Sequence, residues 1–238
     1  HVVTTKQQPD AARVIKDTCS RLKVPCVVSD PDEAVLEAES VFGQRFSYKG
    51  EEFEISLAGV YQKENAVLAL NALEELDQLG WHTTMEQRKD GLLHTSWKGR
   101  FTVICKKPLF IVDGAHNAGA ADKMAESIRH YFKGKKLIYI MGVFADKEYN
   151  LVLEKTAHFA EKIYTIETPD NPRALPAEEL AKAARVYNSS AESNKSIKEA
   201  VEKAFHYADG DKDSVILAFG SLSFIGELTR AVEETCKK

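Results

Sequence analysis

From Phe101 onward, short apolar runs of strand character alternate with amphipathic stretches of helical period. That alternation constrains the fold more than any other feature of the chain. The apolar runs are Leu109–Val112, Leu137–Met141, Ile163–Ile166 and Val215–Phe219. Between and after them the periodicity predicts helices over Ala120–Phe132 (stopped by Gly134), Asn150–Ala160, Ala177–Val186, Ser196–Tyr207 and Phe224–Thr235. Strands with no polar alternation are buried on both faces, and helices inserted between them imply parallel neighbours. The expectation is an α/β fold whose C-terminal part is a Rossmann-like, mostly parallel, doubly wound sheet.

The first hundred residues read differently. Pro9–Arg21 has helical spacing and Val24–Val28 reads as a short strand. Arg45–Tyr48 and Glu52–Leu57, separated by Lys49-Gly50-Glu51, predict a hairpin. Gln62–Leu79 predicts a long helix with Ala66, Ala69, Leu70, Leu73 and Leu76 on one side and Gly80 ending it. A second helix is expected from Thr84 to Leu93, followed by a linker at Trp97-Lys98-Gly99-Arg100.

Composition narrows the function classes. With 44% hydrophobic and 29% charged residues among 238, the chain has the make-up of a soluble globular protein of one large or two small domains. A net charge of -4 argues against nucleic acid as the main partner. The basic run Lys133-Gly134-Lys135-Lys136 reads as a solvated helix end. No stretch reaches the roughly 18 consecutive apolar residues of a membrane span, and no charged-then-apolar leader opens the chain. Cys19, Cys26, Cys105 and Cys236 have no metal-like spacing and are expected to be reduced, in a cytoplasmic setting. There is no phosphate-cradling Gly-x-x-x-x-Gly-Lys-Ser/Thr loop, no Gly-x-Gly-x-x-Gly turn, no Cys-x-x-Cys, no His-Glu-x-x-His and no nucleophile elbow.

In open α/β sheets ligands bind beyond the carboxyl ends of the strands. Here those ends carry Asp113-Gly114-Ala115-His116-Asn117, Gly142 to Lys147 with Asp146-Lys147 at its end, Thr168 to Arg173, and Gly220-Ser221-Leu222-Ser223. An acid, an imidazole, an amide, an amine, a guanidinium and a hydroxyl are therefore expected on one rim. They suit a ribose, a phosphate and an amino acid with two carboxylates. Gly114 and Gly220 would let backbone pass close to a ligand, and helix N-termini there favour anions. Each residue also has a plain structural alternative. Asp113 and Ser221 could be helix caps, His116 a surface histidine, Lys147 a solvated side chain, and Arg173 a brace for its own loop. His82, His94, His130, His158 and His206 read as structural.

Several segments, in order, resemble one family. Leu57-Ala58-Gly59-Val60-Tyr61-Gln62-Lys63-Glu64-Asn65-Ala66 is similar to its Leu-x-Gly-x-His-Gln-x-x-Asn-Ala run, with Tyr61 standing where His is usual. Trp97-Lys98-Gly99-Arg100 resembles its Trp-x-Gly-Arg linker. Asp113 to Asn117 resembles its Asp-Gly-Ala-His-Asn signature, and Asp146-Lys147, Pro172-Arg173 and Gly220-Ser221-Leu222 complete the series. The family is the Mur-type ligases, and within it the folylpolyglutamate synthase/dihydrofolate synthase branch.

The resemblance implies residues 1–99 as the last part of a central ATPase domain and 100–238 as the glutamate-binding C-terminal domain. It implies ATP-dependent addition of L-glutamate to a (tetrahydro)folate, with dihydropteroate as a further candidate acceptor, through an acyl phosphate and with ATP and Mg2+ as cofactors. The P-loop and magnesium ligands would lie upstream of His1, so no metal ligand and no complete catalytic set is expected in this chain, which would be inactive alone. For ATP, Asn65 would contact the adenine, Arg100 would lie against the phosphates, and Asp113 would hydrogen-bond the ribose or sit near the metal. His116, Asn117, Asp146, Lys147, Arg173 and Ser221 would hold glutamate. The remaining partners would be the rest of its own ATPase domain, in a monomeric parent. The other readings are a nucleotide or amino-acid binding module without catalysis, and a fragment of a ligase acting on a peptidoglycan precursor.

Overall fold

The computed structural model describes residues 1–236. The chain falls into two compact units, one spanning His1–Ser96 and one beginning at Trp97.

The first unit opens with β1 (Val2–Thr5), α1 (Pro9–Leu22) and β2 (Cys26–Ser29), a β-α-β turn whose two strands pair in parallel. An antiparallel sheet follows, made of β3 (Val35–Ser40), β4 (Gly43–Tyr48) and β5 (Glu51–Ile55). Lys49 and Gly50 both take positive φ, the conformation that turns a two-residue hairpin with the twist of its strands. The edge strand β3 was not expected from the sequence. Its side chains are nearly all exposed, so no hydrophobic period marks it.

Helix α2 (Gln62–Gln78) covers this sheet through Ala66, Val67 and Leu70, which pack with Phe46, Tyr48, Phe53 and Ile55. The predicted face is corrected: Ala69 and Leu76 are exposed, whereas Gln62 and Asn71 are buried. The rotation has a polar cause. Tyr48 Oη donates to Asn71 Oδ1 at 2.9 Å, and Asn71 Nδ2 donates to Ser29 Oγ at 2.9 Å, so a buried amide bridges α2, β4 and β2. Helix α3 (Met85–Leu93) starts on a capping box between Thr84 and Gln87.

The second unit contains β6 (Thr102–Lys106), β7 (Leu109–Val112), α4 (Ala118–Tyr131), β8 (Lys136–Met141), α5 (Tyr149–Thr156), β9 (Ala160–Thr165), α6 (Ala177–Arg185), β10 (Ala191–Ser193), α7 (Ile197–Ala208), β11 (Ser214–Phe219) and α8 (Ile225–Cys236). The strands form one six-stranded sheet in the order β10-β9-β8-β11-β7-β6, parallel except for β6. This is the mostly parallel, doubly wound sheet that the alternation implied.

Alternate residues divide between the two faces. Phe110, Val112, Ile138, Ile140, Ile216 and Ala218 pack against Val201, Ala204, Leu228 and Val232 of α7 and α8. Ile111, Tyr139, Leu217 and Phe219 point the other way and are equally buried, with the rings of Tyr139 and Phe219 edge to face at 5.0 Å. Helices α4, α5 and α6 pack beside one another on that side.

Two strands lie outside the runs read from the sequence, and one helix end is corrected. β6 pairs antiparallel along the edge of β7. β10 is three residues long, too short to carry a pattern. The helix expected to reach Ala160 ends at Thr156, and by Ala160 the chain is already in β9.

The cysteine expectation is corrected as well. Cys105 of β6 and Cys236 of α8 form a disulfide, with their Cα atoms 6.3 Å apart, while Cys19 and Cys26 are free. A separation of 131 residues hid the pair in the sequence. Only the packing of α8 over the sheet edge brings the two together. Among the described residues, no helix is long and apolar enough to cross a membrane.

Candidate functional site

Because β7, β8, β9 and β11 run parallel and in register, their carboxyl ends fall on one edge of the sheet. The four loops that leave them carry all but two of the residues singled out above. Of those two, Arg100 lies just before β6, and Asn65 lies in the first unit, exposed near the start of α2, with its Nδ2 donating to Gln62 Oε1 at 3.0 Å.

Absent side chains let three of these loops converge. Gly220 has φ +115°, and a Cβ there would lie 2.4 Å from the carbonyl oxygen of Gly142. A Cβ on Gly114 would lie 2.5 Å from Leu222 and 3.3 Å from the Arg100 guanidinium. These glycines were expected to admit a ligand. Their nearest neighbours are instead backbone and side chains of the adjoining loops, which fill the space that a Cβ would take.

Asp113 follows β7 directly and is only 6% exposed. Its Oδ2 accepts from the Phe101 backbone N–H and its Oδ1 from that of Ala115, both at 2.8 Å. Burial raises its carboxyl above the usual range, against the pull of those two amides and of the nearby Arg100 and His116 charges. The carboxylate thus holds the Phe101 turn onto the start of the loop. Phe101 is a non-glycine at φ +48°, and burial of its ring against Tyr131 and Phe132 helps keep it there.

Arg100 extends beside this turn, half-buried, with its guanidinium over the Trp97 ring at 5.3 Å. His116 is half-buried, with Nδ1 2.7 Å from the Gly114 carbonyl oxygen. A carbonyl can only accept, so Nδ1 carries the proton and Nε2 faces away from that bond. Asn117 is the N-cap of α4, its Oδ1 accepting from Ala120 N at 2.9 Å. The capping role considered for Asp113 therefore falls to Asn117. Ser221 is buried and caps the short turn before α8, accepting from Ser223 N at 3.3 Å, with the two hydroxyls 2.7 Å apart.

The loops after β8 and β9 are joined along their backbones. Ala145 N donates to Arg173 O at 2.8 Å, Leu175 N donates to Val143 O at 3.0 Å, and Phe144 bridges Ala174. Across that seam the Arg173 guanidinium forks onto the Asp146 carboxylate, Nε to Oδ1 at 3.2 Å and Nη2 to Oδ2, while lying over the Phe144 ring at 4.8 Å. The pair holds the Asp146 carboxyl below the usual range, with the neighbouring Lys147 charge adding to the effect. Lys147 itself is half-buried. Thr168, in the loop after β9, is 1% exposed and its hydroxyl has no hydrogen-bond partner.

The rim therefore collects Asp113, His116, Asn117, Asp146, Lys147, Arg173 and Ser221, while Asn65 belongs to the first unit. Sequence reasoning missed the part played by Phe144. The residue sits inside a quoted loop, but nothing local shows that its ring would lie under an arginine 29 residues onward.

A family profile described as "Mur ligase, glutamate ligase domain" matches residues 99–222. A dihydrofolate synthase/folylpolyglutamate synthase of Bacillus subtilis is 30% identical over 98% of this chain and 54% of its own length. A folylpolyglutamate synthase of Lacticaseibacillus casei is 29% identical over 74% of this chain and 42% of its own length. Among solved structures, the folylpolyglutamate synthase of Mycobacterium tuberculosis complexed with ADP and AMPPCP superposes with a TM-score of 0.82 at 23% identity, covering 99% of this chain and 55% of that one. At that identity the superposition speaks for the fold alone. The chain spans about half the length of the relatives it matches.

Proposed function

Since the chain belongs to the Mur ligases through their glutamate ligase domain, we propose that it is the C-terminal part of an ATP-dependent ligase joining L-glutamate to a folate. What carries the reading is the gathering of an arginine fork, a lysine, an imidazole and a buried serine at the carboxyl ends of four parallel strands. The names of the two curated relatives support the substrate class.

In the proposed reaction the terminal carboxylate of the folate attacks the γ-phosphorus of ATP, and ADP leaves. The amine of glutamate then attacks the resulting acyl phosphate, phosphate departs, and the nitrogen gives up a proton as the amide forms. A free carboxylate is a poor acceptor, and phosphorylation supplies the leaving group. The contribution of this chain is to hold the nucleophile. A planar guanidinium at Arg173 matches a carboxylate of glutamate in two places. Lys147 adds a second positive charge, and His116 Nε2, Asn117, Asp146 and Ser221 complete the polar lining. Fixing the amine relative to the acyl phosphate is mainly a gain of proximity and orientation.

On the nucleotide side the reading assigns Asn65, Arg100 and Asp113. Arg100 is suited to terminal phosphate oxygens. For Asp113 only the second lone pair of each oxygen remains available, since both already accept a backbone N–H.

Among the described residues, those of the rim do not form a magnesium site. Asp113 is buried with each oxygen already accepting a backbone N–H, Asp146 is forked to Arg173, and no three His, Cys, Asp or Glu side chains form a metal-binding group. The ligands of the metal belong, on this reading, to the part of the ligase that the chain does not include.

The test is incorporation of labelled glutamate into tetrahydrofolate, dependent on ATP, by the parent ligase carrying this chain. Arg173→Ala is expected to raise KM for glutamate by about tenfold or more, from loss of a charge-assisted fork worth roughly 1.5–3 kcal/mol, with KM for ATP unchanged. Unaltered glutamate kinetics in that variant would overturn the assignment of the rim. Robust turnover by the present chain alone would refute the reading as a partial ligase.

A further inference from the structure

The Asp146–Arg173 pair poses a chemical puzzle. If the rim binds an anionic amino acid, a carboxylate fixed at its centre ought to repel the ligand. The geometry resolves the conflict. Asp146 meets Arg173 in the fork-to-fork arrangement that an external carboxylate would use, with Nε and Nη2 directed at separate oxygens. The guanidinium lies on the Phe144 ring, 4.8 Å from its centre, so the fork has one flat orientation. Backbone bonds from Ala145 to Arg173 and from Leu175 to Val143 fix the two loops from which the partners extend. Both side chains are about half exposed, at 51% and 54%, and ion pairs in that setting are weak and readily exchanged.

We propose that Asp146 is a positioning residue that occupies the Arg173 guanidinium in place of a substrate carboxylate, keeping it flat on Phe144 until an incoming dicarboxylate displaces it. The inference rests on the reading that this rim holds glutamate. Asp146 ends in the same chemical group as the ligand, so the resting contact is a copy of the bound one. Displacement leaves Arg173 with the ligand and Asp146 beside Lys147, whose charge already stabilises it. An ion that makes only a one-point contact would have to displace the two-point contact of the resting pair.

The experiment follows the ¹H–¹⁵N Nε resonance of Arg173, assigned by its loss in Arg173→Lys. The full chain is titrated with glutarate, with L-glutamate and with the neutral glutaric diamide at constant ionic strength. In Asp146→Asn, glutarate is expected to half-saturate the Arg173 shift at a concentration about two- to fivefold lower than in the wild type. The diamide is expected to shift neither protein, and Asp146→Glu to return the midpoint to that of the wild type. Were Asp146→Asn unable to fold, Asp146→Ser would carry the same comparison. An equal or higher midpoint in the variant, or no Arg173 response in it at all, overturns the placeholder role. The glutamate reading fails separately if glutarate moves the resonance and L-glutamate does not.

Discussion

Replacing Cys236 by serine removes the covalent link between α8 and the edge strand β6 while leaving most packing intact, because Cys236 is exposed whereas Cys105 is 3% exposed. The link closes a loop of 131 residues. On the chain-entropy account, a loop of that length withdraws about 5 kcal/mol of freedom from the unfolded ensemble at 25 °C, and structure retained in the unfolded chain reduces the effect toward about 3 kcal/mol. The second unit of Cys236→Ser is therefore expected to lose about 3–5 kcal/mol, which corresponds to a fall in Tm of roughly 10–15 °C for a unit of this size. Urea unfolding followed by circular dichroism is the assay, with and without a dithiol reductant. The wild type should fall to the level of the variant when reduced, and the variant should not respond. Were reductant to leave the wild-type transition unmoved, or alkylation under denaturing, non-reducing conditions to label all four cysteines, the reasoning would be refuted.

Two further substitutions probe separate parts of the structure. Gly220→Ala places a methyl group 2.4 Å from the Gly142 carbonyl oxygen at φ +115°, and should cost about 1–3 kcal/mol in urea unfolding, with more if the two strand ends are forced apart. In the first unit, burial would raise the Asp77 carboxyl, but the Thr83 N–H and the Arg88 guanidinium outweigh burial and lower it. A carboxyl held low in the folded state adds stability that is complete above its unfolded value near about 4 and is lost as pH falls through the folded one. The urea midpoint of the first unit should therefore drop below about pH 4 in the wild type and drop less in Asp77→Asn. Equal acid sensitivity of the two would rule the contribution out.

How much of this was legible in the chain depends on what each element is made of. The four longer parallel strands are continuous apolar runs, since both faces are covered, and such runs stand out against the polar loops that follow them. β3 and β6 are edge strands with one side open, and β10 is three residues long. None has a period to read. The buried side of α2 was misplaced because hydrophobicity alone locates Ala69 and Leu76 inside, while a hydrogen-bonded Asn71 takes the buried position. At the rim, residue types and their order along the chain could be read directly. Pairings could not: the fork of Arg173 on Asp146 spans two loops, and the disulfide spans most of the second unit.

The seam of glycines at the strand ends has a consequence for how such a protein can change. With the Gly220 and Gly142 backbones nearly touching and Leu222 pressed against Gly114, a shift in any one of those turns drags the others along. New ligand preferences are thus more easily acquired by exchanging the groups borne on this platform than by bending the platform itself. Arg173, held on the Phe144 ring and joined by backbone to the loop after β8, is one such group on the platform.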